Sequence, residues 1–265
     1  MRSRFTRTRN PAARKRIPRS AEHSIIRRAV AAAMRVRWIV DGEANAALWR
    51  ALSDAPLRLV DGPRRWVADL GGGNGNFVSP LRAKDARLVA VDLDTSALLG
   101  AVRGVRGVAA SLLALPFRDA AMSAVAGRAI LHHVPDDLDA ALREARRIVC
   151  PGGLALFQEP TSGNALANFA RRRFPTERHD PAERPLPFDA YVDAVRRHFD
   201  VLEARPHFLV SYLLPHVVGR LPPNGRGIAR AITRALSGWD ERVLAALPGL
   251  RRHAAYVSIL ARRPM

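Results

Sequence analysis

The chain has 265 residues, 48% of them hydrophobic, which suits one folded domain with appendages and excludes a fully disordered chain. Its 43 basic and 24 acidic residues give a formal charge of +19, but all the basic residues except Lys15 and Lys84 are arginine. That bias is typical of proteins from GC-rich genomes and weakens the charge as a functional signal. A single cysteine, Cys150, excludes a disulfide framework and a cysteine-based zinc site.

The first 62 residues differ in composition from the rest of the chain. Residues 1–20 are basic, contain no acidic residue and lack apolar periodicity, so we expect a disordered tail; a transit peptide, or a basic arm for nucleic acid or an anionic membrane, are the alternatives. Residues 21–62 carry apolar residues at helical spacing and predict a helical extension. The N-terminus lacks the apolar core of a secretory signal, and no apolar stretch is long enough to span a membrane, so the sequence predicts a cytoplasmic protein.

From residue 63 to residue 265 short apolar runs alternate with helical segments. Strands are predicted at residues 66–70, 88–92, 105–109, 122–126, 154–159, 200–204 and 254–261. Helices are predicted at residues 75–83, at 95–102 with Thr95 or Asp94 as cap, from a cap at Asp136 or Asp137 to Arg147, and at 191–198. This alternation predicts an α/β fold with a doubly wound, mostly parallel Rossmann-like sheet.

A glycine-rich run, D-L-G-G-G-N-G-N, follows the first predicted strand. Gly71 and Gly73 match the first two positions of the dinucleotide-binding pattern G-x-G-x-x-G, but Asn76 stands at the third. Gly75 gives the tighter spacing D-x-G-x-G-x-G, which Asp69 enters as a fixed negative charge. A carboxylate beside the loop repels pyrophosphate and suits a ligand that carries an ammonium and a sulfonium.

The second predicted strand ends at Asp92. A carboxylate at this position can accept hydrogen bonds from both hydroxyls of a ribose. Asp94 is the rival for that role, but it lies beyond the strand end and also suits a helix cap.

Five motifs in the order of a known family lie between residues 64 and 160, which resemble a class I S-adenosylmethionine-dependent methyltransferase of the small-molecule, type 11-like group. They are VADLGGGNG at 67–75, VAVD at 89–92, LPF at 115–117, ILHHVPD at 130–136 and RIVCPGGL at 147–154. The resemblance implies S-adenosylmethionine as cofactor and a seven-stranded sheet whose sixth and seventh strands form an antiparallel hairpin. The cofactor-binding residues that it implies are Asp69, Gly71, Gly73, Gly75, Asp92, Leu93, Ser111, Leu112 and Arg128.

The sequence departs from the family pattern at two positions. Where the family often has Gly-Asp, with the aspartate on the adenine amine, this chain has Ala110-Ser111, and a serine hydroxyl is a weaker acceptor than a carboxylate. Ser123 replaces an aspartate that often begins the fourth strand. Both departures leave room for weakened cofactor binding.

Methyl transfer to a hydroxyl or an acidic carbon also needs a base, and three residues at the carboxyl edge of the sheet are candidates. His132 and His133 follow the fourth strand, and Glu159 ends the fifth, so we expect the catalytic groups among these three. The alternative is that the histidine pair belongs to the family's common cofactor-facing loop. Asp136 and Asp137 lie near the histidines but suit helix caps better, so no metal is expected.

Acceptor recognition is expected in two additions to the sheet, an arginine-rich insert at 161–190 and an excursion at 206–250. The excursion carries more apolar side chains than a solvent loop needs: Phe208, Leu209, Tyr212, Leu213, Leu214, Val217, Val218 and Leu221. These segments predict a cap over an apolar, anionic or lipid-like small molecule; a simple cover for the sheet edge and weak membrane-surface association are the alternatives. An RNA or other nucleic-acid methyltransferase and a non-enzymatic binding protein stay open as alternative functions, although aromatic residues are few and no base-methylation motif is present.

Overall fold

The computed structural model describes residues 66–79, 86–173, 183–213 and 226–265. Within them one sheet contains seven strands, in the order β3-β2-β1-β4-β5-β7-β6. The strands are β1 Trp66–Leu70, β2 Arg87–Asp92, β3 Val105–Ala109, β4 Met122–Arg128, β5 Val149–Pro160, β6 Asp200–His207 and β7 Tyr256–Arg262. The first five are parallel, and β7 runs antiparallel to both β5 and β6.

Helices connect these strands and cover their faces. They are α1 Thr95–Leu99, α2 Leu138–Ile148, α3 Ala165–Arg173, α4 Phe188–Arg196 and α5 Arg226–Ala246, together with 3-10 turns at Leu131–His133, Ser211–Leu213 and Pro248–His253. Helix α2 buries Leu138, Ala141, Leu142 and Ala145, which recur every three or four residues on one face. This spacing explains why the segment forms a helix packed on the sheet.

The apolar core lies on both faces of the sheet because successive side chains of a strand point to opposite sides. One cluster contains Ala68, Val89 and Phe157 with the buried faces of α2 and α4. The other contains the alternate strand residues, including Val67 and Leu88. The strand order reverses between β1 and β4, so the carboxyl ends of the parallel strands form an edge with a crevice of the kind that binds ligands in this class of sheet.

The predicted α/β, doubly wound, seven-stranded sheet with its antiparallel hairpin is confirmed. Strands β1 and β3 have the predicted bounds, whereas β4, predicted to end at residue 126, extends to Arg128. The predicted side-chain cap of α2 is wrong: Asp137 occupies the cap position with φ −109° and ψ 16°, and its carboxylate makes no capping hydrogen bond. Asp136 instead accepts a hydrogen bond from Arg184.

Several predicted segments lie outside the described residues. These are the tail at 1–20, the extension at 21–62, and parts of the helix at 75–83, the insert at 161–190 and the excursion at 206–250. Residues 71–79 form turns and the start of a 3-10 turn. Among the helices that the structure describes, none combines the length and the hydropathy that crossing a membrane requires.

Candidate active site

The turn after β1 is a backbone cradle at the carboxyl edge of the sheet. Gly71 adopts φ +63°, and a Cβ there would come within 2.2 Å of Ile130, so only glycine fits. Gly73 adopts φ +53°, but an added Cβ would meet nothing closer than 3.8 Å. A side chain at Gly73 would therefore meet Ala97 and Asp92 only at van der Waals distance, and the positive φ is the reason for glycine at this position.

Asp69 lies beneath this turn, 1% exposed, and its Oδ2 has no hydrogen-bond partner among the described residues. Burial raises the pKa of Asp69 to about 7, and the positive charge of Arg128 opposes that rise. The expectation of a fixed negative charge is therefore corrected: near neutrality the charge of Asp69 depends on what binds beside it. A cationic ligand group would satisfy the unpartnered oxygen.

Asp92 joins the end of β2 to the glycine turn. Its Oδ2 accepts a hydrogen bond from the Gly73 amide at 2.8 Å, and its Oδ1 accepts one from the Asp94 amide at 2.9 Å. Each carboxylate oxygen has a second lone pair for a hydroxyl donor. Asp94 caps α1, where its Oδ1 accepts from the amides of Ser96 and Ala97, and Leu93, 75% exposed, lies beside Asp92 in the chain.

The predicted adenine-side residues lie after β3. The Ser111 hydroxyl accepts a hydrogen bond from the Leu113 amide at 3.2 Å, and Leu112 lies between them, partly buried. The LPF segment that follows is held by hydrogen bonds with two residues of α2, Glu144 and Arg147, to which the sequence gave no role. Glu144 accepts from the Leu115 amide at 2.9 Å, and Arg147 donates to the carbonyl oxygens of Leu115 and Phe117 at 2.9 and 2.7 Å. The arginine of the RIVCPGGL motif is therefore a positioning residue for the LPF segment.

Arg128 is the last residue of β4, which lies between β1 and β5 in the sheet. Its guanidinium lies 5.1 Å from the centre of the Phe77 ring, and its charge acts on both Asp69 and Tyr256. A cation at this place suits a carboxylate or another anionic group of a bound ligand.

The structure brings the three predicted catalytic residues together. Glu159 is fully buried, and its Oε1 accepts hydrogen bonds from the amides of Ile130 and Leu131, both at 2.9 Å. Its Oε2 lies 2.9 Å from Nδ1 of His132. Glu159 therefore fixes the loop and orients His132, whose Nε2 lies on the far side of the ring, and the catalytic assignment of these residues stays a prediction.

Glu183, which sequence reasoning missed, completes this cluster. Its Oε2 lies 3.8 Å from Nε2 of His132, and its Oε1 lies 3.6 Å from Nδ1 of His133. The backbone amide of Arg184 donates to the His132 carbonyl at 3.1 Å and holds the segment in place. No local motif marks Glu183, because it comes from the insert and meets the histidines only through the fold.

Helices α3 and α5 both pack against the turn Ser211–Leu213, in the segments that the sequence predicts to form a cap. Asp240 of α5 is fully buried and accepts hydrogen bonds from the amides of Leu209, Val210 and Ser211, at 2.7 to 3.3 Å. This carboxylate, another group that sequence reasoning missed, ties the first part of the excursion, at residues 209–211, to α5 in its second part.

Aromatic rings form the inner part of the cap. The rings of Phe208, Tyr212 and Tyr256 lie 5.8 to 6.4 Å apart, and the Arg171 guanidinium lies 5.7 Å from the centre of the Tyr212 ring. Burial raises the pKa of Tyr256, and the neighbouring Tyr212 adds to that rise. The predicted cap segments therefore contribute to a packed aromatic group, in which Phe208 is buried, with a guanidinium beside it.

Comparisons with known proteins agree with this geometry. A family model described as a methyltransferase domain matches residues 68–157. A malonyl-[acyl-carrier protein] O-methyltransferase of Serratia marcescens is 31% identical over 192 residues, which are 70% of this chain and 74% of that protein. An uncharacterized methyltransferase of Mycobacteroides abscessus is 32% identical over 117 residues, and that match spans 41% of this chain but only 43% of the relative's length.

Solved structures share the fold at low sequence identity. The geranyl diphosphate C-methyltransferase of Streptomyces coelicolor A3(2), in complex with Mg²⁺, geranyl diphosphate and S-adenosyl-L-homocysteine, superimposes with a TM-score of 0.55. The superposition covers 80% of each chain at 17% identity. At this identity the likeness shows the fold alone.

Proposed function

The chain belongs to the class I S-adenosylmethionine-dependent methyltransferase family, and from that premise we propose that it methylates a small molecule with an apolar body and an anionic group. The cofactor would lie over the ends of β1 and β2, and the acceptor over the ends of β4 and β5 and the start of β7. The observation that carries the cofactor part of this proposal is the buried Asp69, whose Oδ2 has no hydrogen-bond partner among the described residues.

The residues at the β1–β2 end fit the cofactor. Asp69 would hold its ammonium, with Gly71, Gly73 and Gly75 against the methionine part, while Asp92 and Leu93 would take the ribose. Ser111 and Leu112 would lie at the adenine, and Arg128 would pair with the carboxylate. When bound, S-adenosylmethionine supplies a methyl group on a positively charged sulfur, and the chain's residues align the acceptor with it and exclude water.

The acceptor class follows from the cap and from the groups at the ends of β4 and β5. Phe208, Tyr212 and Tyr256 would cover an apolar body, and Arg171 beside Tyr212 supplies positive charge. His132 would face the accepting atom, because Glu159 occupies its other ring nitrogen. The names of two similar proteins support an anionic acceptor group: one is a malonyl-[acyl-carrier protein] O-methyltransferase, and a structural neighbour carries geranyl diphosphate.

The cofactor assignment is tested by titration calorimetry with S-adenosylmethionine and with NAD. Replacing Asp92 with alanine should weaken S-adenosylmethionine binding by about 1–3 kcal/mol, the loss of charge-assisted hydrogen bonds. Asp94→Ser is the matched control, since it removes a charge two residues away while it keeps a helix cap. Equal affinity in Asp92→Ala and wild type would contradict the assignment, and tighter binding of NAD would overturn the proposed function.

The acceptor is found by incubating the chain with methyl-labelled cofactor and a metabolite extract. We expect label in a small-molecule fraction; label in RNA or DNA would contradict the proposed acceptor class. With the acceptor in hand, Tyr212→Ala and Leu213→Ala should lower its turnover and leave cofactor affinity unchanged. Leu247→Ala, an exposed residue just after α5, is the control. Full turnover in both cap variants would place the acceptor elsewhere.

A further inference from the structure

His132, His133 and Glu183 form a group of three metal-ligand side chains. One ligand atom from each lies within 4.8 Å of the other two. The side chains of His132 and Glu183 are 6% and 8% exposed, while that of His133 is 36% exposed, so the group is buried on one side and open on the other. Nothing in the sequence motifs unites these three residues.

The most buried of the three, His132, is already oriented as metal-binding histidines are. Glu159 binds its Nδ1 at 2.9 Å and is itself held by two backbone amides, which leaves Nε2 toward Glu183. A carboxylate on the second ring nitrogen is the usual support of a histidine ligand, because it fixes the ring and raises the basicity of the other nitrogen. The Arg184 amide donates a hydrogen bond to the His132 carbonyl, which fixes the backbone beside Glu183.

We propose that His132, His133 and Glu183 bind a divalent transition-metal cation of the zinc type. Two imidazoles and one carboxylate are the ligands of catalytic zinc sites that keep a position open. Ligand atoms about 2.0–2.1 Å from a tetrahedral cation lie roughly 3.3 Å apart. The Oε2 and Oε1 atoms of Glu183 lie 3.8 and 3.6 Å from the two imidazoles, and one ligand atom from each residue lies within 4.8 Å of the other two. Rotations of the Glu183 side chain and of the half-exposed His133 would bring these three atoms to the tetrahedral spacing.

The open side of the group gives the cation a role in the proposed reaction. A coordinated acceptor oxygen would be held at the end of β4 and polarised there, and His132 would then serve as a ligand and not as a base. The acceptor part of this inference rests on the proposed function, whereas the binding of the cation does not. Mg²⁺ is the poorer candidate, since it prefers oxygen ligands and this group offers two nitrogens.

The binding test uses the full chain, stripped with a chelator and titrated with Zn²⁺ and with Co²⁺. We expect a single equivalent per chain by calorimetry, and a visible Co²⁺ spectrum of a low-coordinate nitrogen–oxygen site. Zn²⁺ that binds only in non-saturating, sub-stoichiometric amounts would overturn the proposal.

Three variants locate the site. His133→Ala removes a half-exposed side chain and Glu183→Gln is an isosteric replacement, so both variants should fold. Each should weaken Zn²⁺ binding more than about tenfold and change the Co²⁺ spectrum. Glu159→Gln should weaken it about 10–100-fold through the lost support of His132. His253→Ala and Glu203→Gln, exposed residues far along the chain, are the matched controls. Wild-type affinity in both His133→Ala and Glu183→Gln would overturn the proposal.

Cofactor titrations separate this inference from the proposed function. His133→Ala and Glu183→Gln should bind S-adenosylmethionine as the wild type does, because neither residue belongs to the β1–β2 end. A chain that binds Zn²⁺ at this group but not S-adenosylmethionine would overturn the proposed function and leave the metal site standing. A chain that binds S-adenosylmethionine but no Zn²⁺ would overturn the metal site and leave the proposed function standing.

Discussion

Asp69 and Glu159 are both penultimate residues of parallel strands, and both are buried, but their surroundings differ. Glu159 at the end of β5 accepts hydrogen bonds from two backbone amides and lies against His132. Asp69 at the end of β1 has an oxygen without a partner among the described residues, and burial raises its pKa to about 7. The strand alternation also sends the two side chains to opposite faces of the sheet.

The difference separates two uses of a buried carboxylate. A carboxylate whose hydrogen bonds are satisfied by its own chain stabilises the fold, and removing it leaves several donors unpaired. A buried carboxylate oxygen without a partner costs stability, and a cationic ligand group would offset that cost. We place Glu159 in the first class and Asp69, with its unpartnered Oδ2, in the second.

The largest effect is expected on removing the satisfied carboxylate. Glu159→Leu leaves the amides of Ile130 and Leu131 and the Nδ1 of His132 without a partner, and should lower the free energy of unfolding by about 4 kcal/mol. In thermal unfolding the midpoint should fall by about 10 °C.

The neighbouring residue in the same strand is the control. Gln158 is as deeply buried as Glu159, but its side-chain amide makes no hydrogen bond among the described residues. Gln158→Leu should therefore change the unfolding midpoint little, because it removes an unsatisfied group and keeps the volume. An equal loss in both variants would show that packing, and not hydrogen bonding, accounts for the effect at Glu159.

The sequence placed the residues of the predicted cofactor half at one edge of the sheet because they lie close together in the chain, and their cofactor role stays a prediction. The glycine turn and the two strand ends that carry Asp69 and Asp92 are read from short motifs whose spacing the backbone itself imposes. The acceptor half was predicted only in part: His132, His133 and Glu159 were found, but Glu183 and Asp240 were not. These two carboxylates meet their partners through long-range packing of the insert and of α5, and no local pattern carries that information.

The next largest effect is expected on the cofactor side. Asp69→Asn removes the charge that would hold the cofactor's ammonium and should weaken S-adenosylmethionine binding by about 2 kcal/mol, roughly 30-fold. At pH 8 the ligand-free variant should be at least as stable as wild type, because it no longer buries an ionised group with an unpartnered oxygen. Calorimetry and thermal unfolding measure the two quantities; lower stability with unchanged affinity would move Asp69 into the class of Glu159.

The pH dependence of cofactor binding should be smaller and should follow Asp69. Its pKa of about 7 lies above the usual value, so its contribution to the stability of the ligand-free chain is present at low pH and lost as pH rises through 7. Binding of a cation needs the ionised form, so affinity should fall about tenfold for each pH unit below 7 and level off above about 8. Calorimetry in two buffers of different ionisation enthalpy measures the protons exchanged on cofactor binding and checks this pH dependence. Asp69→Asn should abolish the fall of affinity with falling pH. An unchanged pH dependence in the variant would assign the titration to another group.

The smallest effect is expected at Ser111, where the chain departs from its family. The hydroxyl already accepts a hydrogen bond from the Leu113 amide, so its capacity to bind an adenine amine is reduced. Ser111→Asp can keep that bond with one oxygen and offer the other to the adenine, which should tighten S-adenosylmethionine binding about 3–5-fold, since a bond to a carboxylate is the stronger. An analogue with an oxo group in place of the adenine amine should gain nothing from the substitution, because a carbonyl oxygen cannot donate to the carboxylate. Equal tightening of both ligands in Ser111→Asp, or weaker binding of S-adenosylmethionine, would show that the adenine does not lie at Ser111. The motif-based placement of the cofactor would then be wrong at its adenine end.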